Sequence, residues 1–164
     1  GDGEAIHRAV VESLPELRQW GASVPWAMLE PSVDASESFC REAQANFIRR
    51  TSLVYLFFSN QGGELVGSSS LHNINWTVPK FEVGYWCRSS QHRQGYTTAV
   101  VEALASLAFD ALGARRVQCI TDELNRASRR VCERAGMTLE ATLHNERLGL
   151  QGELRNTCIY AKTQ

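Results

Sequence analysis

Ile6, Ala9, Val10 and Ser13 recur at helical spacing, which predicts a first helix over Glu4–Ser13, with Pro15 restarting the chain. A second helix is predicted from about Asp34, where Glu37 three residues on suggests a capping box; Phe39, Ala43 and Phe47 share one of its faces. Strand-like text follows. "SLVYLFFS" and "ELVGSSSLH" flank Asn60, Gln61, Gly62 and Gly63, which read as a hairpin turn, and "KFEVGYWCR" makes a third strand with Gly84 as a bulge. The clearest helix is predicted over Gly95–Leu112, with Val100, Leu104, Leu107 and Ala111 on its apolar stripe. A short strand "RRVQCIT", a helix over about Asn125–Ala135 and a turn at Gly136 come next. The closing strands "MTLEATLHNE" and "LRNTCIYAK" meet around Gly149 and Gly152. Antiparallel strands followed by a β-α-β-α-β tail predict a mixed α/β domain.

The 164 residues suffice for one domain with a full core, taken as residues 1–164. With 17 basic against 18 acidic side chains, no charge excess points to nucleic acid or a membrane surface. The longest apolar run, Leu53 to Phe58, is far too short to span a bilayer. Cys40, Cys87, Cys119, Cys132 and Cys158 are odd in number and never form a C-x-x-C pair, so neither a disulfide framework nor a metal site is expected. Free thiols suit a reducing, cytoplasmic setting.

The chemistry gathers in "SQHRQGYTTAVVEAL", Ser90 to Leu104, where a polar loop turns at one glycine into the long helix. A helix start has amides without intrahelical partners and a dipole that favours an anion. Gly95 lets a ligand approach the backbone, and Gln91, His92, Arg93 and Gln94 add donors. The loop is neither a Walker loop nor a dinucleotide G-x-G-x-x-G. Read alone, it serves as plain punctuation or as a pyrophosphate seat.

The order of elements makes a resemblance specific. "FEVGYW", "RSSQHRQGYTTAV" and "NRASRRVCERAGM" resemble, in that order, the splayed central strand, the coenzyme A loop and the Asn-containing helix of the GNAT N-acetyltransferase superfamily. "GYW", the "RSS…GYTT" loop and the N-x-x-S variant are most similar to the RimJ/RimL kind, which acetylate N-terminal amines of ribosomal proteins. The resemblance implies a GNAT fold, a mixed and mostly antiparallel sheet whose central strands splay, flanked by helices. Departures are visible in the loop, where His92 and Thr97 replace the first and last positions of Q/R-x-x-G-x-G/A. Relatives also open with a strand before the first helix, so a missing first strand is expected.

What the resemblance implies is direct acetyl transfer from acetyl-CoA, with no metal and no covalent enzyme intermediate. Backbone amides around Gln94, Gly95, Tyr96 and Thr97 would hold the pyrophosphate, with Arg93 and His92 as further donors. The strand from Tyr85 to Arg88 would pair with pantetheine, and an amide near Trp86 or Cys87 would face the thioester oxygen. Asn125 would cap its helix beside coenzyme A. Many relatives have a tyrosine where this chain has Cys132, and an alanine where it has Ser128. Ser128 is then the hydroxyl that meets the leaving sulfur, Cys132 is packing, and Ser128 read alone is a residue bonding its own backbone. Glu82 resembles the position of the general base in some members; His72 is the other candidate.

Two acceptor classes follow. An α-amine has a pKa near 8, so roughly a tenth is neutral at pH 7 against under a thousandth of a lysine amine. A protein N-terminus therefore needs no dedicated base, whereas a polyamine or aminoglycoside is the small-molecule alternative. A non-catalytic coenzyme A binder on the same fold is a third reading. Relatives place "WGASVPWAMLEP" over the acceptor site, which makes Trp26 a lining candidate, and a homodimer is the assembly they suggest.

Overall fold

The computed structural model describes residues 1–164. Helix α1 spans Gly3–Arg18 and runs straight through Pro15, against the expected stop at Ser13. Pro15 withdraws a hydrogen bond from the carbonyl of Val11, and Val11 lies on the exposed side, so water can serve that group. After a single 3-10 turn at Pro25–Met28, α2 covers Val33–Arg49. Its cap is Ser32, whose Oγ accepts the Ala35 amide at 3.0 Å; the expected box at Asp34 does not form, and Glu37 faces Arg41 instead. The apolar face of α2 is only half covered. Phe47 meets Tyr55 edge-on at 5.7 Å, yet Phe39 and Phe47 keep 41% and 43% of their surface.

Strands β1 (Leu53–Phe58) and β2 (Leu65–Asn75) form the predicted hairpin, closed by Ser59 and Glu64, and β3 (Lys80–Cys87) follows. Helix α3 covers Tyr96–Leu112, β4 Arg116–Asp122, α4 Arg126–Arg134, β5 Thr138–Leu148 and β6 Leu154–Thr163. The sheet order is β1-β2-β3-β4-β6-β5, antiparallel except between β3 and β4. This parallel pair is joined only at Lys80, Phe81 and Glu82 against Arg116, Val117 and Gln118. Beyond those residues β3 continues along β2 and β4 along β6. The sheet therefore opens into a V, as the resemblance implied.

Gly84 is not a bulge: the register runs unbroken from Ser70–Gly84 to Leu71–Val83. A Cβ there would lie 2.8 Å from Cε1 of His72, so the glycine makes room for the imidazole on the neighbouring strand. The main core places Leu71, Phe81, Val83, Val117 and Cys119 of the sheet against α3 and α4. Each large apolar side chain buried there contributes about 1.5–3 kcal/mol. The buried stripe of α3 is Val101, Leu104, Ala105 and Ala108, rotated from the expected Val100, Leu104, Leu107 and Ala111. That helix is apolar on most sides, so spacing alone does not select the face that packs. A smaller core joins Ile6, Ala9 and Val10 of α1 to Leu65 on the other face. All five cysteines are free, and no helix is long and apolar enough to cross a membrane.

Candidate active site

The loop before α3 is anchored from an unexpected direction. Ser13, which continues an otherwise apolar stripe, is fully buried because its Oγ accepts the Ser89 amide at 3.0 Å and donates to the Ala9 carbonyl at 2.7 Å. Next to it, Glu12 accepts from the Ser90 amide at 3.0 Å and pairs with Arg88 Nε at 2.6 Å, while about one turn on Glu16 accepts from Ser89 Oγ at 2.8 Å. Partial burial opposes ionisation of Glu12, but the hydrogen bonds from Ser90 and Arg88 outweigh it and lower its pKa. Arg88 is thus tied to α1 through its side chain, and its amide donates to the Val66 carbonyl at 2.7 Å. Glu12, Ser13 and Glu16 escaped the sequence reading; the buried serine in an apolar row was the available signal.

Downstream, the loop is left open. Arg93 and Gly95 adopt the left-handed conformation, at φ 62° and 83°. The first intrahelical bond of α3 runs from Ala99 N–H to the Gly95 carbonyl, and no side chain caps the start. The amides of Tyr96, Thr97 and Thr98 consequently have no intrahelical acceptor. A Cβ on Gly95 would meet nothing within 4 Å, so the turn into the helix is open on that side. A pyrophosphate matches this donor set in charge and geometry. His92 turns away: its Nε2 lies 3.0 Å from the Cys87 carbonyl, which can only accept, so this nitrogen carries the proton and donates. Gln94 bonds Gln91, and Arg93 stays exposed. Cys87 is half-buried, and burial raises its thiol pKa.

The second helix start at the V is closed. Asn125 Oδ1 accepts the Ser128 amide at 3.0 Å, capping α4. Ser128 Oγ lies 2.9 Å from the hydroxyl of Tyr85, which also reaches the Ser128 carbonyl at 3.1 Å. Cys132 and Cys119 approach the same phenol oxygen at 3.5 and 3.7 Å. Cys132 is fully buried in the main core, in the packing position expected of it. Tyr85 was expected only as part of the strand that pairs with pantetheine, not for its hydroxyl, and Cys119 was not among the expected site residues.

On the opposite face of β3, Glu82 sits where the V closes. Its carboxylate accepts from Asn73 at 3.1 Å and from Gln118 at 3.5 Å, and lies 3.3 Å from His72 Nε2. His72 Nδ1 meets Ser70 Oγ at 3.0 Å. Burial alone would raise the Glu82 pKa; the bonds from His72 and Asn73 overcome it and leave the group more acidic than an ordinary glutamate. The two expected base candidates therefore form one linked unit.

A cavity of about 230 Å³ lies between the turn after α1, the end of β4 and the β5–β6 turn. Trp20, Met28, Leu148 and Leu150 line it together with Asp122 and Arg155, which are paired at 3.0 Å. Arg155 also lies over the Trp20 ring at 5.2 Å. Trp26 does not line this cavity; it packs against Trp86 at 5.9 Å.

A family model described as "Acetyltransferase (GNAT) domain" matches residues 1–138. YdaF of Bacillus subtilis (strain 168), named as a ribosomal N-acetyltransferase, is 37% identical over 78 residues, which are 48% of this chain and 43% of that protein. The match thus spans less than half the length of that relative. Among solved structures, the microcin C7 self-immunity acetyltransferase MccE in complex with acetyl-CoA and AMP superposes with a TM-score of 0.90 at 19% identity, over 99% of this chain and 87% of that one. RimL, a ribosomal L7/L12 α-N-protein acetyltransferase in complex with coenzyme A, gives 0.89 at 22% identity, over 99% and 88%. These two likenesses establish the fold.

Proposed function

Because the chain belongs to the GNAT acetyltransferase family, we infer that it transfers acetyl from acetyl-CoA to a primary amine, and that the amine is the N-terminus of a ribosomal protein. The observation that carries this reading is the uncapped start of α3 beside the unpaired edge of β3. The amides of Gly95 to Thr98 take the pyrophosphate. The edge of β3 beyond Glu82 faces no strand, so its amides are free to pair with pantetheine as an added strand would. That run leads the thioester toward Trp86 and Cys87, where a backbone amide meets the oxygen as charge develops on it. Ser128, at the start of α4, donates a hydrogen bond to the leaving sulfur.

The acceptor enters from the other side, through the cavity bounded by Trp20, Asp122 and Arg155. Proton removal places the least demand on the protein if the acceptor is an α-amine, because a sizeable fraction is already neutral at pH 7. Glu82, held as a carboxylate and bonded to His72, supports a route for that proton. The names of YdaF and RimL support the ribosomal acceptor.

Acetyl-CoA consumption measured against N-terminal peptides, polyamines and aminoglycosides tests the reading. The expected result is the highest kcat/KM for a peptide. A polyamine or aminoglycoside turned over faster would move the assignment to small amines. Coenzyme A binding without turnover of any amine would leave a binding module.

A further inference from the structure

We propose that Tyr85 is a positioning residue of this reaction: its hydroxyl holds Ser128 Oγ so that the serine hydrogen is free to point at the leaving sulfur. The inference rests on the reading of Ser128 given above and assigns the group that makes it work.

Hydrogen-bond accounting leads there. A phenol has one hydrogen and accepts on its oxygen, whereas each thiol is a weak donor. Cys119 Sγ, at 3.7 Å, is placed to donate to Tyr85 Oη, and Cys132 Sγ at 3.5 Å can do the same. With the acceptor side of the phenol taken by sulfur, its own hydrogen goes to Ser128. Two oxygens compete for it, Oγ at 2.9 Å and the carbonyl at 3.1 Å. The carbonyl belongs to the first turn of α4 and already serves the amide four residues on, so Oγ is both the nearer and the less occupied acceptor. Once Ser128 Oγ accepts from Tyr85, its hydrogen has no partner among these groups.

The anchoring is rigid at both ends. Tyr85 is held in register opposite Ser69 on β2, and Ser69 Oγ bonds the neighbouring Gly84 carbonyl at 2.8 Å. Ser128 is fixed by the Asn125 cap. Burial first, then the neighbouring Cys119 and Cys132, keep the phenol pKa well above its ordinary value, so Tyr85 remains a donor throughout the working pH range. No bond of Tyr85 breaks in the reaction; it sets the direction of one hydrogen.

The test compares Tyr85→Phe, Ser128→Ala and the double variant in kcat, acetyl-CoA KM and melting temperature. Ser128→Ala is expected to lower kcat about tenfold or more, and Tyr85→Phe about three- to tenfold with KM within about twofold. The double variant should be no slower than Ser128→Ala alone, because residues that act as a unit are not additive. If Ser128→Ala falls but Tyr85→Phe does not, or if the two losses multiply, the positioning role is overturned while the Ser128 reading stands. If Ser128→Ala leaves kcat unchanged, both fall together. Difluorotyrosine placed at 85 keeps the ring and hydroxyl but ionises at lower pH, which covers the case of a Phe variant that does not fold. Its kcat should fall relative to that of the unmodified enzyme as pH rises and the phenol ionises, and a ratio that stays constant with pH would equally overturn the proposal.

Discussion

Two helices begin at the V of the sheet, and they begin in opposite ways. Helix α3 opens on Gly95 with no side chain across its first amides, whereas α4 opens on Asn125, whose own oxygen closes the amide of Ser128. An uncapped start in a folded protein leaves donors that an anion can satisfy; a capped start gives up that capacity and gains rigidity. The same element of secondary structure is thus used once as a receptor and once as a mount. The loop feeding α3 is pinned upstream by Glu12, Ser13 and Glu16, so its free amides stay organised although nothing caps them.

Filling the open start should have the largest effect. Gly95→Ala must adopt φ 83° at a cost of about 1–2 kcal/mol, and it adds a methyl group next to the open amides. Calorimetry should show acetyl-CoA binding weakened by about tenfold or more, equivalent to about 1.4 kcal/mol. An unchanged Kd would mean that the pyrophosphate lies elsewhere.

Removing the cap from the closed start should act on a different quantity. Asn125→Ala should cost about 1 kcal/mol, which for a chain of this size lowers Tm by about 2–4 °C. With Ser128 loosened, kcat should drop, while the acetyl-CoA Kd changes by less than about twofold. Asn125→Asp, which can still cap, should restore most of the loss. If instead Asn125→Ala weakens acetyl-CoA binding as strongly as Gly95→Ala, the two starts do the same work and the contrast between them fails.

Much of this contrast could be read from the chain. Gly95 ahead of an apolar helix and Asn125 ahead of "RASRR" are local signals, because each acts on amides within a few positions. The mostly antiparallel sheet and the V followed from the resemblance. What stayed hidden was non-local. Tyr85 reads as one more apolar position on a strand, and only folding brings it to Ser128, 43 residues away. Ser13 and Ser89 lie 76 residues apart, so no window along the chain holds both. The misjudged local features had competing answers nearby: Ser32 outbid Asp34 as the cap of α2, and Gly84 serves the ring of His72 rather than a bulge.

The smallest expected effect concerns what keeps the open start in order. Glu12 has its folded pKa lowered, so its contribution to stability is fully present above the unfolded value of about 4.3 and is lost as pH falls through the folded value. About a third of its side chain is exposed, at 31%, so solvent screens the pair with Arg88 and the contribution is modest. Melting temperature followed from about pH 6 to pH 3 should fall less steeply in Glu12→Gln than in the parent. Because protonation also releases the Ser90 amide and Arg88, acetyl-CoA affinity should decline over the same range in the parent, while in Glu12→Gln it should already be lower at neutral pH and nearly flat. Parallel curves for the two proteins would show that the loop holds its shape without the carboxylate, and the anchoring would then belong to Ser13 and Glu16.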